Sequence, residues 1–324
     1  MSPIIAVRNL RKRYRYAKPG GLLSSVFPDY HYIDALDGLS FDIAAGERVA
    51  IIGPNGAGKS TTLKILTGIL EPGEGAASVL GPTPWRERLV LAQRIGVVFG
   101  QRSQLWGELP VRESFALLRR IYTQPAAVFA VRLEHLVQRF ALEALLQQPV
   151  NRLSLGQRMR CELVASLLHA PSVLFLDEPT IGLDITAKAA MRDLIKQQAH
   201  EDGQTVVLTS HDTRDIELVC DRVIVINAGR IVVDQPTSEL RRRFLGRKLV
   251  TIRSVAPEVA LELPGVTLRS SEAHQTLFEV DTGMLHVERL IEAALAIGGI
   301  EDITIEDPPM EEVIRDIYAC AARV

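Results

Sequence analysis

The segment at residues 53–60 leaves this chain few choices of fold. It reads Gly-Pro-Asn-Gly-Ala-Gly-Lys-Ser and matches the pattern GxxxxGK followed by Ser or Thr. The β-branched run Arg48–Ile52 precedes it, and a helix is predicted from Lys59 to about Leu70, before Glu71-Pro72-Gly73. A strand, a glycine-rich loop and a helix in this order predict a site for the phosphates of a nucleotide.

The residue types in this loop suit phosphate binding. Gly56 and Gly58 let the backbone curl so that N–H groups point inward, and the helix start adds partial positive charge. Lys59 would reach the β- and γ-phosphates, and the Ser60 hydroxyl would take one position on Mg²⁺. The predicted phosphate-binding residues are Gly53, Pro54, Asn55, Gly56, Ala57, Gly58, Lys59, Ser60 and Thr61.

A second buried run ends in two carboxylates. Val173–Leu176 is followed by Asp177 and Glu178. Ligands bind at the carboxyl ends of strands in open α/β sheets, so Asp177 is suited to hold Mg²⁺ through water. Glu178 is suited to orient and deprotonate an attacking water. Because a strand that ends in two solvated acids is common, this pattern alone leaves the function open.

Four further motifs make the chain resemble the nucleotide-binding subunit of the ABC superfamily. Residues 153–157, Leu-Ser-Leu-Gly-Gln, are similar to the LSGGQ signature of that family. Gln101 resembles its Q-loop glutamine, residues 181–184 its D-loop, and His211 its switch histidine at a strand end. The motifs stand in the family's order, and the resemblance covers roughly residues 1–244.

The resemblance implies an ATPase in which two copies of the subunit enclose two ATP molecules head to tail. Ser154, which would also cap the following helix, and the N–H of Gly156 would bind the γ-phosphate held by the partner copy. The implied catalytic residues are Glu178, His211 and Gln101; the implied Mg²⁺ residues are Ser60, Gln101 and Asp177; and Gln157 and Asp184 join the ATP-binding residues.

Two positions depart from the family pattern. Leu155 replaces the first glycine of the signature, and Ile181 replaces the small residue often found before Gly-Leu-Asp. A leucine can be accommodated if its side chain points away from the phosphate, so we expect activity to survive. Both acids and the switch histidine are present, which argues against a site that does not hydrolyse ATP.

A long insertion separates the first two strands. The family makes this turn in a few residues, whereas residues 16–32 intervene here. The insertion could be a short amphipathic helix, a flap packed on the sheet, or a contact with a membrane subunit. The family also stacks an aromatic ring on adenine, a sequence-tolerant contact. Tyr14 fits that position, while Tyr16, Tyr30 and Tyr32 remain possible.

The predicted fold class is α/β. Residues 1–244 are expected to form a P-loop NTPase core with a mainly parallel sheet, an antiparallel β subdomain and a helical insert at about 102–168. Residues 245–324 are expected to form a small α+β domain similar to the βαβ appendage of type-2 exporter ATPases. Its predicted elements are strands at 249–254, 266–270, 276–281 and 300–305, and helices at 286–297 and 308–318.

The composition of the chain limits the kinds of partner that we expect. The net charge is −2 with a pI near 6.4, which gives no electrostatic footprint for nucleic acid. Cys161, Cys220 and Cys320 form no metal-ligand spacing and fit a reduced, cytosolic compartment. Since no apolar run approaches the roughly 18 residues that span a bilayer, a separate permease chain would supply the membrane part. We expect a peripheral protein at the cytoplasmic face of the cell membrane.

Three segments resemble the type-2 exporter branch of the superfamily: residues 34–40, residues 98–106 and Arg158–Cys161. The cargoes of that branch are drugs, antibiotics, polysaccharides or other amphiphiles. The expected assembly is a homodimer with a permease. The alternatives are the ATPase of an importer, a soluble ABC ATPase that acts on nucleic acid or ribosomes, and a nucleotide sensor. Glu178 and His211 disfavour the sensor. The soluble class usually carries two ATPase domains, coiled-coil insertions or metal-binding cysteines, and these are not evident in the sequence.

Overall fold

The computed structural model describes residues 2–17, 30–100, 102–210, 212–240, 247–255, 261 and 263–306. The chain divides into two compact units, Met1–Gln235 and Pro236–Val324, and each has its own hydrophobic core. The elements of the first unit are β1 (Ile5–Ala17), β2 (Tyr30–Ile43), β3 (Arg48–Ile52), α1 (Lys59–Leu66), β4 (Glu74–Val79), α2 (Arg88–Ala92), β5 (Ile95–Phe99), α3 (Val111–Ile121), α4 (Ala126–Arg139), α5 (Leu155–Leu167), β6 (Val173–Asp177), α6 (Ile185–Glu201), β7 (Thr205–Thr209), α7 (Thr213–Val219), β8 (Arg222–Asn227) and β9 (Arg230–Pro236).

A mainly parallel sheet forms the centre of the first unit. Its strand order over the described residues is β5-β6-β7-β3-β8-β9. β7 pairs in parallel with both β3 and β6, so the three strands end at the same edge of the sheet. The loop after β3, the acids after β6 and the end of β7 therefore meet at that edge. This arrangement confirms the predicted fold class and positions the site.

A smaller antiparallel sheet packs on the same core. Its order is β2-β1-β4, and its buried side chains join those of β3 and α1 in one cluster. β4 pairs with β1 only between Ile5 and Arg11. Beyond that point β1 and β2 continue as a two-stranded ribbon, in which Arg13 bridges Asp34 at 2.6 Å.

The ribbon corrects the sequence prediction for this region. The insertion at residues 16–32 was not predicted to extend the first two strands, yet residues 12–17 and 30–38 are strand. Aromatic and β-branched residues favour an extended chain, and cross-strand ion pairs support it. The predicted amphipathic helix of the insertion falls on residues 18–29, which lie outside the described residues.

Two further boundaries differ from the prediction. The helix predicted to reach Leu70 ends at Leu66, because Gly68 takes a left-handed φ of +76°. No strand was predicted at residues 95–99, which form β5. A five-residue apolar run does not distinguish a buried strand from a helix turn. The helices α3, α4 and α5 lie within the helical insert predicted at about 102–168.

The second unit contains a four-stranded antiparallel sheet and a helix in its described part. Its elements are β10 (Arg247–Ser254), β11 (Val266–Glu272), β12 (Gln275–Asp281), α8 (Val287–Ile297) and β13 (Ile300–Glu306), with sheet order β11-β12-β10-β13. β12 and β13 are both antiparallel to β10, so β12, α8 and β13 form a split β–α–β unit. The predicted closing helix at 308–318 lies outside the described residues.

The described residues add two findings about composition. No helix among them is long and apolar enough to cross a membrane. Cys161 and Cys220 are buried, and burial raises the pKa of both thiols, that of Cys161 to about 12. Cys320 lies outside the described residues.

Candidate nucleotide-binding and hydrolysis site

The glycine-rich loop is held at its base by the neighbouring β hairpins. Gly58 immediately precedes α1 at φ +112°, a conformation that favours glycine. A Cβ at this position would lie 2.6 Å from the backbone carbonyl oxygen of Ala35 and 2.7 Å from Leu36 Cδ2, so the loop and β2 approach too closely for any side chain. The Gly229 N–H donates to the Ala57 carbonyl at 3.1 Å. The loop is therefore shaped before any ligand arrives.

Lys59 lies buried inside this loop. Its Nζ donates to the carbonyls of Gly53 at 2.6 Å and Pro54 at 3.2 Å. Burial lowers the pKa of the Lys59 ammonium, while the nearby carboxylates of Glu178 and Asp177 oppose that shift. The ammonium is thus pointed into a curled loop and is held by carbonyls that a phosphate can replace.

Ser60 and the acids after β6 meet at the edge of the sheet. The Ser60 hydroxyl donates to Asp177 Oδ1 at 3.2 Å. The Thr209 hydroxyl, at the end of β7, donates to the same oxygen at 2.6 Å. The three side chains place several oxygen atoms together, which is the ligand chemistry that Mg²⁺ prefers. The residues present therefore fit the predicted cation.

Glu178 occupies a strained turn beside this cluster. Its φ is +56°, a left-handed conformation that costs roughly 1–3 kcal/mol in a residue other than glycine. The Glu178 N–H donates to the Thr209 carbonyl at 3.1 Å, which fixes the turn against β7. Thr209 therefore positions both predicted acids. No role was predicted for Thr209 from the sequence, since a strand-end threonine gives no signal of its own.

The signature residues form the start of α5. Ser154 Oγ accepts from the Gln157 N–H at 3.3 Å, and Gln157 Oε1 accepts from the Ser154 N–H at 2.9 Å. These two bonds are a capping box and confirm that Ser154 caps the helix. A Cβ on Gly156 would contact Ala187 of α6 at 3.5 Å, so the signature packs beside the D-loop. Asp184 caps α6 by accepting from the Ala187 N–H at 2.8 Å.

Both departures from the family pattern pack against glycines. Leu155 Cδ2 lies 2.9 Å from the position that a Cβ on Gly182 would take. Ile181 Cγ2 lies 3.1 Å from the corresponding position at Gly100. The larger side chains thus fill space beside the D-loop. That the Leu155 side chain points away from the phosphate stays a prediction.

An open groove of about 730 Å³ runs beside these residues. It lies between the end of α4, the start of α5, the D-loop and α6, and it includes Ser154, Gly156 and Asp184 in its lining. The predicted second phosphate contact therefore faces an accessible surface of the subunit.

Comparison with known proteins identifies the family. A profile described as ABC transporter matches residues 36–181. The daunorubicin resistance ATP-binding protein DrrA3 of Streptomyces coeruleorubidus is 33% identical over 297 residues, 90% of this chain and 93% of that protein. The Nod factor export ATP-binding protein I of Paraburkholderia xenovorans is 36% identical over 246 residues, 75% of this chain and 80% of that protein. This chain belongs to the ABC transporter family.

A solved structure supports the assignment. The dimeric ATP-binding cassette MJ0796, in a post-hydrolysis state bound to ADP and Pi, matches with a TM-score of 0.61 and 27% identity. The match covers 72% of this chain and 98% of that chain. The chain is an ABC-type ATPase and an ATP-binding subunit of an ABC transporter. The predictions of family, fold and enzyme class are confirmed.

Two predicted catalytic residues of the ABC subunit lie outside the described residues. These are Gln101 and His211. Their neighbours are described: the Gly100 N–H donates to the Asp177 carbonyl at 2.8 Å, and the Asp212 N–H donates to Ser210 Oγ at 2.9 Å. Both positions are thus flanked by residues fixed at the edge of the sheet.

A buried ionic network supports the flanks of His211. Asp215 accepts from the hydroxyls of Thr180 and Ser210, each at 2.6 Å, and pairs with Arg192 of α6. Arg192 also lies 2.8 Å from Asp212 Oδ2. Sequence reasoning missed this network, because a charged residue on a helix is usually solvated. It ties the residues around the switch position to the D-loop segment.

The four tyrosines near the first strands lie on two faces of the ribbon. Tyr14 and Tyr16 are 6.3 Å apart on the face of Lys12, which pairs with Leu36 opposite it. Leu36 is the residue that packs on Gly58 of the loop. Tyr30 and Tyr32 follow the other alternation, and Tyr30 packs under Arg15.

Proposed function

We propose that this subunit binds ATP with Mg²⁺ at the loop of residues 53–60 and hydrolyses it with Glu178 as general base. The observation that carries the proposal is the contact of Ser60 with Asp177 at 3.2 Å, which joins the phosphate loop to the acids. When bound, Mg²⁺ would neutralise charge on the β- and γ-phosphates. Ser60 and Asp177 would hold it, together with Gln101.

The other site residues have separate roles in binding and hydrolysis of ATP. Lys59 exchanges its two carbonyl partners for phosphate oxygens, and the start of α1 adds backbone donors. Glu178, fixed by its bond to Thr209, takes the proton of the attacking water. His211 senses the γ-phosphate. Tyr14 stacks on adenine, supported by its place on the face of the ribbon that reaches the loop.

The signature completes a second site on another copy of the subunit. Ser154, Gly156 and Gln157 lie beside an open groove, and α5 adds the partial charge of its N-terminus. Asp184 lies at the same surface. Two copies arranged head to tail would each present this surface to the ATP of the other. The dimeric relative with ADP and Pi supports this arrangement.

The assembled motor works with a separate permease at the cytoplasmic face of the cell membrane and drives export. The names of two relatives, a drug resistance protein and an export protein, favour amphiphilic or antibiotic-like cargo. Import is the second candidate. Affinity purification from detergent-solubilised membranes tests the partner: an integral membrane chain is expected, and co-purification with a substrate-binding protein would favour import.

Steady-state hydrolysis tests the catalytic assignment. The Glu178→Gln subunit is expected to lose kcat by a factor of about 10²–10⁴, because a general base contributes that range. Glu217→Gln, an equal change at an exposed glutamate of α7, is the matched control and keeps the rate. Wild-type activity in Glu178→Gln would contradict the proposal.

A further inference from the structure

A buried aspartate that the proposed site does not use lies in the first turn of α7. Asp215 is 1% exposed. Its Oδ2 accepts two hydrogen bonds, one from the Thr180 hydroxyl and one from the Ser210 hydroxyl, each at 2.6 Å. Its Oδ1 accepts from Arg192 Nε of α6. Both oxygens of this carboxylate are therefore occupied by donors from separate segments of the chain.

The two hydroxyl donors belong to the segments that leave neighbouring strands. Thr180 lies soon after the end of β6, and Ser210 directly follows β7. The parallel pairing of these strands reaches as far as Asp177 and Thr209. Beyond that last pair, a single oxygen atom of Asp215 accepts from both segments. The aspartate thus holds the two strand exits together past the end of the sheet.

Glu178 lies between the end of β6 and Thr180, in a turn that the surrounding structure must enforce. Its φ of +56° is left-handed, and such a conformation persists in a residue other than glycine only where its neighbours fix it. The Glu178 N–H donates to the Thr209 carbonyl at 3.1 Å, and the Glu178 carbonyl accepts from the Ile181 N–H at 3.2 Å. The bond from Thr180 to Asp215 fixes the far side of the same turn.

Asp215 is itself held on the side away from this turn. Arg192 is 5% exposed, and it also lies 2.8 Å from Asp212 Oδ2. The Asp215 N–H donates to the Asp212 carbonyl at 3.1 Å, and the Asp212 N–H donates to Ser210 Oγ at 2.9 Å. A buried carboxylate is tolerated only where it is paired and hydrogen-bonded, and these neighbours meet both conditions. Asp215 is therefore a fixed acceptor behind the turn.

We propose that Asp215 is a positioning residue for Glu178. By accepting from Thr180 and Ser210 together, it keeps the turn in its left-handed conformation and so fixes the place from which Glu178 takes the proton of the attacking water. Because Asp215 is buried, it acts through Thr180 and not by contact with the nucleotide. The inference rests on the proposed function, since Glu178 is the general base of that proposal.

The test compares Thr180→Val, Thr180→Ser and Thr67→Val in the full chain. Thr180→Val removes the hydroxyl at nearly constant shape and is expected to lower kcat about tenfold, with the KM for ATP within about twofold, because the phosphate loop is untouched. Thr180→Ser keeps the hydroxyl and should keep the wild-type kcat. Thr67→Val is the matched control: it removes a buried hydroxyl that bonds the Leu63 carbonyl of α1, and it should also keep kcat.

A double variant separates positioning of Glu178 from general damage. In a Glu178→Gln background the general base is already lost, so Thr180→Val should lower the residual single-turnover rate by less than about twofold. Damage to the fold or to the phosphate loop would lower the rate by the same factor in both backgrounds. Equal factors therefore overturn the proposal.

Asp215→Asn tests the acceptor itself. Its amide oxygen can accept from the two hydroxyls, but its NH₂ then meets the donors of Arg192, so kcat should fall at least as far as in Thr180→Val. Wild-type kcat in Thr180→Val overturns the proposal even where Asp215→Asn does not fold. Equal losses in Thr180→Val and Thr180→Ser assign Thr180 to packing and also contradict it. Wild-type activity in Glu178→Gln would instead overturn the proposed function, so the two failures are distinguishable.

Discussion

Two helices of this subunit begin at predicted phosphate contacts, and they begin differently. α1 follows Gly58, and no side chain caps it in the part of the chain that the structure describes. α5 follows Ser154, which forms a capping box with Gln157. The first N–H groups of α1 therefore have no side-chain acceptor and can bind a ligand. The first N–H groups of α5 already have side-chain partners.

The difference agrees with the roles that we propose for the two contacts. The start of α1 lies beside Lys59, Ser60 and Asp177, so in the proposed function one copy of the chain supplies the phosphate-binding and Mg²⁺-binding residues together. The start of α5 has its groove but no lysine or acid cluster of this kind beside Ser154 among the groove residues. The side-chain cap stabilises the start of α5 without a nucleotide, which suits the proposal that this helix binds the ATP of another copy.

The largest expected effect concerns ATP binding at the start of α1. Lys59→Ala should weaken ATP binding by about 3 kcal/mol, on the order of 100-fold, because a charged hydrogen-bond donor is lost from the phosphates. Lys64→Ala, at an exposed position of the same helix, is the control. Titration with a fluorescent ATP analogue measures both. Equal affinities for the two variants would contradict the role of Lys59.

A second variant separates capping from phosphate binding at α5. Ser154→Asp keeps a good cap, so the free energy of unfolding should change by less than about 1 kcal/mol. The added negative charge should weaken ATP-dependent dimerisation roughly tenfold or more, since it faces the partner's phosphates. Denaturant unfolding and light scattering measure the two effects. Dimerisation at wild-type affinity would argue that the signature does not meet phosphate.

A smaller effect concerns the departure at Leu155. Leu155→Gly restores the family residue but removes the contact with Gly182 and adds backbone freedom. We expect a loss of about 1 kcal/mol in the free energy of unfolding, with dimerisation retained. Urea denaturation gives the value. A gain in stability would show that Leu155 is strained rather than packed.

The smallest expected effect is a pH dependence of stability that comes from His169, just after the C-terminal end of α5. His169 is buried, stacks on Tyr122 and bonds the Ile95 carbonyl through Nε2 at 2.8 Å. Burial lowers the pKa of His169, so the folded chain keeps it neutral while the unfolded chain takes up a proton below about pH 6.5. The unfolded state then binds more protons, and the free energy of unfolding falls as the pH drops through that value.

The control for this pH effect is His169→Gln. Its amide can still donate to Ile95 but does not titrate. Urea unfolding between about pH 7.5 and 5.5 should therefore show a smaller decline in this variant than in the wild type. Equal declines would assign the pH dependence to other groups.

The residues proposed to bind ATP were easier to predict from the sequence than the residues that hold them in place. The loop at 53–60, the acids at 177 and 178 and the cap at Ser154 carry local patterns, because phosphate and Mg²⁺ demand particular residue types at fixed spacing. Thr209 and Asp215 carry none. Their roles depend on which strand or helix lies beside them, and that follows from the sheet order rather than from neighbours in sequence.

Within the fold, too, some elements could be predicted from local sequence patterns and others could not. The central strands were predicted because their apolar runs are bounded by turn residues, whereas β5 was hidden in a region of helical pattern. The ribbon of β1 and β2 was missed because most of its residues are polar or aromatic and give no clear apolar alternation. Its stability depends on cross-strand pairs, which become visible only when the register is known.

The head-to-tail use of the two helix starts is tested most directly by light scattering of the Glu178→Gln subunit with ATP and Mg²⁺. The account predicts a monomer without nucleotide and a dimer with ATP, and it predicts that adding Ser154→Asp to this background restores the monomer. A subunit that binds ATP to saturation and remains a monomer would contradict it.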